Sequence, residues 1–288
     1  MVRKHHFVNL KIYKFTPNLL HLVSMLNPTA LLSSIMRNKN LFIKIMVLVS
    51  YLVMIIVNAL SNILPINNLT TVQVSNSFPN LFAPAGLTFS IWGVIYLLLG
   101  IYSVYQLVSK KINSKLSNQI NTLFIISSFV NSTWIFAWHH KIIWLTVLLM
   151  LTLLASLTKI ADILNQEKLN SSEKLLYKIP FGVYFGWITV ATIANIIIFL
   201  VSVGWKSDPV WTVLILLLGS VITIWRMHQD SNLAYGLVPV WAYYGIWLKH
   251  TSSSGFNNSY PLIITTVIIC IILLIISNLT LIFKKRVI

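Results

Sequence analysis

The side chains of this chain that could do chemistry are aromatic. Ten tryptophans, eleven tyrosines and fourteen phenylalanines stand beside five carboxylates, seven histidines and one cysteine. Trp92, Tyr96 and Gly100 recur at i, i+4 and i+8 and share one helical face. Asn131, Trp134 and Trp138 make a second stripe at i, i+3 and i+7. Tyr184, Trp187, Ala191 and Asn195 make a third at i, i+3, i+7 and i+11. Such stripes would line an apolar chamber between helices with a few placed amides, the usual form of a small-molecule site. They present no Ser/His/Asp or Cys/His arrangement and no carboxylate pair, so the reading is a non-enzyme. The lone Cys270 excludes a disulfide framework and cysteine metal sites. His139 and His140 are adjacent and lack the i,i+4 spacing of a helical metal pair. With no G-x-x-x-x-G-K-[ST] loop, any ATPase would be a separate protein.

Composition dictates the elements that carry these stripes. The chain is 57% hydrophobic and 9% charged, with a mean hydropathy of +0.82. Soluble domains carry about 25% charged residues, so this chain cannot build a wetted surface. A membrane span needs about 20 apolar residues. Apolar runs near 45–64, 88–108, 119–138, 142–161, 179–200, 209–225, 233–248 and 260–283 predict an all-α bundle of about eight transmembrane helices. The seventh run is short and rich in aromatics, which suits a tilted or half-buried helix.

Charge placement orients the bundle. With the N-terminus inside, 18 of the 21 basic residues fall on inner segments, and Lys141, Lys206 and Lys249 alone fall outside. Cytoplasmic loops attract Lys and Arg, so both termini are expected inside. The net charge of +16 is then mainly topological, with a secondary affinity for anionic lipid headgroups and no call for nucleic acid. A basic cytoplasmic segment at 1–41 is thus expected to precede the helices. Mid-span positions carry no Asp, Glu, Lys or Arg, which disfavours pumps and proton-coupled carriers.

Depth brings the stripes together. Trp92, Tyr96, Asn131, Trp134, Trp138 and Asn195 fall in outer halves of their spans, Trp187 lies nearer the midplane, and Asn58 of span one lies level with the outer group. The uncharged loop 65–87, with Pro65, Pro79 and Pro84, would cover them as a semi-rigid lid. Blander readings stand alongside. Trp144, Trp205, Trp211 and Trp225 suit the interfacial aromatic belt, and Trp92 and Trp138 suit belt or pocket equally. Intramembrane Asn commonly joins helices, at roughly 0.6 kcal/mol per contact. Small Gly100 and Ala191 suit close helix packing. The pattern P-x-x-x-Y-aromatic-G occurs at Pro180–Gly186 and again at Pro239–Gly245, as a partial duplication, a packing device or a coincidence.

The string Tyr184-Phe-Gly-Trp187-Ile-Thr-Val-Ala191-Thr-Ile-Ala-Asn195 resembles the last helix of the tryptophan-rich sensory protein (TspO/MBR, translocator protein) family. Pro84, Phe89, Trp92, Tyr96 and Gly100 resemble its second helix, and Asn131, Trp134 and Phe136 its N-x-x-W-x-x-F element. The resemblance covers about residues 42–200 and implies a five-helix bundle there, leaving three further helices with a short basic tail at 201–288. Val183 stands where the family has proline before the tyrosine, and Leu87 where a tryptophan is expected. The resemblance implies a pocket beneath the first outer loop for a porphyrin, haem-like tetrapyrrole or sterol-like lipid. It also implies a homodimer, with porphyrin or haem as ligand rather than required cofactor. The alternative is a permease or facilitator for a small amphipathic molecule, working alone or with a separate ATPase. The Ile/Asn/Lys-heavy composition suits a multi-pass protein of a cell membrane, the bacterial inner membrane above all.

Overall fold

Among the described residues, long apolar runs separated by short polar turns fold into eight long helices, because in hydrocarbon each backbone N–H and C=O must be satisfied within its own segment. A computed structural model describes residues 39–64, 66–108 and 114–287. The long helices are α1 (Lys39–Ile63), α2 (Ile91–Val108), α3 (Ser114–His139), α4 (Ile143–Gln166), α5 (Ile179–Ser202), α6 (Pro209–Asp230), α7 (Leu233–Thr251) and α8 (Pro261–Val287). The chain divides into Met1–Phe42 and a larger unit, Ile43–Ile288, which carries the bundle. The segment 1–38 of the basic N-terminal region and the loop lysines Lys110 and Lys111 lie outside the described residues.

Among the described residues, seven helices are long and apolar enough to cross a membrane. α7, the short aromatic-rich run, is not among them, yet its two ends reach opposite ends of the bundle. At one end Asn232 Nδ2 donates to the Lys178 carbonyl, 3.2 Å, beside α5. At the other, His250 Nε2 bonds the Leu81 carbonyl, 2.9 Å, in the 65–87 loop. Its lower hydropathy follows from its surroundings. Tyr235, Gly236, Pro239, Tyr243 and Gly245 are buried against protein, where packing rather than lipid selects the residue.

Local signals set the helix ends. Asp208 caps α6 through the Trp211 N–H, with Pro209 in the first turn. Ser231, in the left-handed region, closes the same helix, and Asn232 caps α7 through the Tyr235 N–H. A π-helical turn at Lys174–Lys178 leads into α5. Outward faces are apolar: Ile56, Leu97, Val104, Leu148 and Val221 are each more than half exposed. In water that surface would aggregate; in lipid it matches the solvent.

α5 packs against α2, α4 and α7. At the end of the bundle where α5 begins, an aromatic knot joins α2, α3 and α5: the Tyr102 ring meets Phe124 at 5.3 Å and Phe181 at 4.8 Å, both edge-on. Tyr102 OH donates to Asn121 Oδ1, whose amide reaches Gln106, which in turn donates to the Lys44 carbonyl of α1. Nearby, buried Arg226 donates to Asp162 at 2.6 Å and Asp230 at 2.8 Å. It also stands 5.3 Å above the Phe185 ring. These charges occupy helix ends rather than mid-membrane.

Candidate functional site

The three stripes converge where α2, α3 and α5 meet beneath the 65–87 loop. Trp92 stacks on Tyr96, with centroids 5.4 Å apart, and meets Tyr184 and Trp187 edge-on, each at 6.1 Å. Trp134 stacks on Trp138 at 5.0 Å. Between these groups is a cavity of about 60 Å³, lined by Trp92, Trp134, Trp138, Trp187, Ala191 and Asn195 among others. None of its lining residues is ionisable.

The amides stand in two short polar ladders. Asn58 Nδ2 donates to Asn131 Oδ1 at 2.8 Å, and Asn131 Nδ2 to the Tyr184 hydroxyl at 3.4 Å. This ladder joins α1, α3 and α5 behind the cavity, so Asn58, Asn131 and Tyr184 support the wall without forming it. In the second ladder, Trp134 Nε1 donates to Asn195 Oδ1, 3.2 Å, and Asn195 Nδ2 to Thr146 Oγ1, 3.0 Å. Gly100 lies further along α2, where its missing Cβ leaves room for the Tyr51 ring, whose hydroxyl donates to the Tyr96 carbonyl. Ala191 borders the cavity.

Two polar atoms here have no partner among the described residues: the Trp187 indole Nε1 and the Tyr96 hydroxyl. A buried donor without a partner costs about 1–3 kcal/mol, so each calls for an explanation. Trp187 is 4% exposed and lines the cavity. Its ring is fixed by edge contacts to Phe89 and Trp92.

The loop over the cavity is tied down on several sides. A capping box between Thr70 and Gln73 starts the short helix Thr71–Asn76. Trp138 Nε1 donates to the Thr71 carbonyl, 3.1 Å, and Asn67 Nδ2 to the His139 carbonyl, 3.1 Å. Leu81 N–H donates to Ser207 Oγ, 3.1 Å. α7 adds three bonds: His250 to the Leu81 carbonyl, Trp241 Nε1 to the Thr88 carbonyl, and the Ala85 N–H to the Gly245 carbonyl, each 2.9 Å.

Sequence reasoning did not find the part played by α7. Ala242 and Ile246 line the cavity, as do Met150 of α4 and Phe82 and Pro84 of the loop. A signal was present in the repeated P-x-x-x-Y-aromatic-G pattern, because both of its glycines sit at close crossings. A Cβ on Gly186 would strike the Tyr235 carbonyl of α7, and one on Gly245 would land on Thr88. Among the described residues, no group of three or more His, Cys, Asp or Glu is placed to hold a metal ion.

A family model described as TSPO-like protein matches residues 44–280. The match runs from α1 into α8, well past residue 200, where the motif resemblance stops. No curated protein and no solved structure matches the chain.

Proposed function

The chain belongs to the TSPO-like protein family, and on that premise we propose that it is a multi-pass membrane protein that binds a flat, largely apolar molecule beneath the 65–87 loop. A porphyrin or other tetrapyrrole is the first class of ligand to test and a sterol-like lipid the second. The observation that carries this reading is the Trp187 N–H, buried, held in place and without a partner at the wall of an uncharged aromatic cavity. A ligand with one acceptor at its rim would satisfy that donor while stacking on Trp92 and Trp134. The absence of ionisable lining residues suits a neutral contact surface and leaves any carboxylates of the ligand toward the loop. We place the protein in a cell membrane of bacterial type and read it as a binding protein rather than an enzyme.

Size adds a condition. Ligand pockets commonly hold about 300–1,000 Å³, whereas this cavity is about 60 Å³. Binding therefore requires the loop to lift or the aromatic rings to swing aside. Conformational closure over a ligand is a common device.

The test is a titration of the purified protein with protoporphyrin IX, followed by tryptophan quenching, beside Trp134→Ala and Trp187→Phe. Saturable quenching that weakens in both variants is expected. Linear quenching identical in all three proteins would overturn the assignment.

A further inference from the structure

A second and much larger concavity lies on the outside of the bundle. It has a volume of about 880 Å³ and runs between α2 and α7 along α5. Ile179, Val183 and Val238 form its floor, and the exposed side chains of Val94 and Leu237 form its flanks. One end is bounded by Ser90 and Trp241, where the Trp241–Thr88 hydrogen bond joins α7 to the turn preceding α2. The other end is bounded by Lys174, Lys178, Ser231 and Asn232.

We propose that this cleft holds one anionic phospholipid of the inner leaflet, its acyl chain along α5 and its phosphate at Lys174 and Lys178. Three observations converge on that occupant. The first is length: Asn232 to Trp241 is nine residues of α7, about 14 Å at 1.5 Å per residue, and one leaflet is half of a hydrocarbon core about 30 Å thick. The second is depth. Lys178 and Asn232 meet where α5 and α7 begin, beside the lysines of the π-helical turn, so the polar end of the cleft stands at headgroup level on the side where basic residues are expected. The third is charge. Both lysines of the π-helical turn border the same opening, next to the Ser231 and Asn232 side chains, whereas the wall above them is apolar. Lys178 also donates to Asn165 of α4 at 3.1 Å, a contact on the α4 side of α5 that a phosphate in the cleft would have to share or displace. A zwitterionic lipid would fill the same groove, but without the net attraction.

The full chain is reconstituted into phosphatidylcholine vesicles containing a small fraction of lipid brominated along its acyl chains, with either a phosphatidylglycerol or a phosphatidylcholine headgroup. Bromine quenches nearby tryptophan, and the Trp241 component is taken as the difference between the native protein and Trp241→Phe. Brominated phosphatidylglycerol should quench Trp241 at a mole fraction lower by about fivefold or more, given about fivefold per lysine near a headgroup. The pair Lys174→Gln with Lys178→Gln should bring the two lipids to parity. The pair Lys159→Gln with Lys168→Gln, which removes equal charge from the same side away from the cleft, should leave the preference in place. Equal quenching by both lipids in the native protein would overturn the proposal. An equal loss of preference in the two lysine pairs would also overturn it, because the attraction would then belong to the whole surface.

Discussion

Trp187 and Asn131 both carry buried N–H groups, and their difference separates binding from folding. Asn131 works in both directions, accepting from Asn58 and donating to Tyr184. Replacing it with leucine leaves the Tyr184 hydroxyl without that bond and Asn58 Nδ2 with the Met54 carbonyl alone, and intramembrane hydrogen bonds are worth about 0.6 kcal/mol on average and up to about 1.7. Asn131→Leu should therefore lower stability by about 1–2 kcal/mol, measured by denaturant unfolding in detergent. Trp187 Nε1 has no partner to lose, so Trp187→Phe should leave stability nearly unchanged. Its effect should fall on ligand affinity, by about fivefold for one hydrogen bond of about 1 kcal/mol. Similar stability losses in the two variants would contradict this division of roles. The stripes themselves were legible in the sequence, since helical spacing places Trp92 beside Tyr96 and Trp134 beside Trp138. Which amide meets which was not, because Asn58 and Asn131 lie 73 positions apart and nothing local encodes that pairing.

At the scale of elements, α7 changes the meaning of the C-terminal third. From composition it is the weakest span, as tyrosine, tryptophan, glycine and proline dilute its hydropathy. Those residues are the ones that let it lie against α5 and hold the outer loop. Hydropathy reports the lipid-facing share of a helix, so a helix enclosed by others is under-read by it. The loop 65–87 was legible as a proline-stiffened cover, but its fastenings were not, since Leu81 bonds residues at 207 and 250. Because the cavity is small when covered, the loop should govern entry. Trp241→Phe with His250→Ala removes two fastenings while keeping the Gly245 contact. Stopped-flow mixing with protoporphyrin IX should show faster association, with dissociation increased as well. Unchanged association would mean that ligand enters by another route.

For the molecule as a whole, charge and hydropathy act on different tasks. Apolar lipid-facing side chains suit insertion, and the placement of basic residues is expected to set orientation. Within the bundle, aromatic knots and amide ladders align the helices, and the Arg226 cluster joins α4 to α6 near their C-terminal ends. The sequence placed Asp162 and Arg226 at helix ends but could not show that they meet, because that depends on which helices become neighbours. An aromatic cavity thus lies under the 65–87 loop and an apolar cleft runs between α2 and α7 beside Lys174 and Lys178, and the central claim assigns the flat ligand to the former. The most direct test is to find where such a ligand sits. A tetrapyrrole carrying a photoactivated diazirine is bound to the protein, illuminated, and its adducts are mapped by mass spectrometry. Adducts should concentrate on the segments bearing Trp92, Trp134, Trp187 and Ala242–Ile246, and should disappear in Ala191→Trp, which fills the cavity. Adducts spread over the lipid-facing surface or gathered in the α2–α7 cleft, and unchanged by Ala191→Trp, would contradict the account.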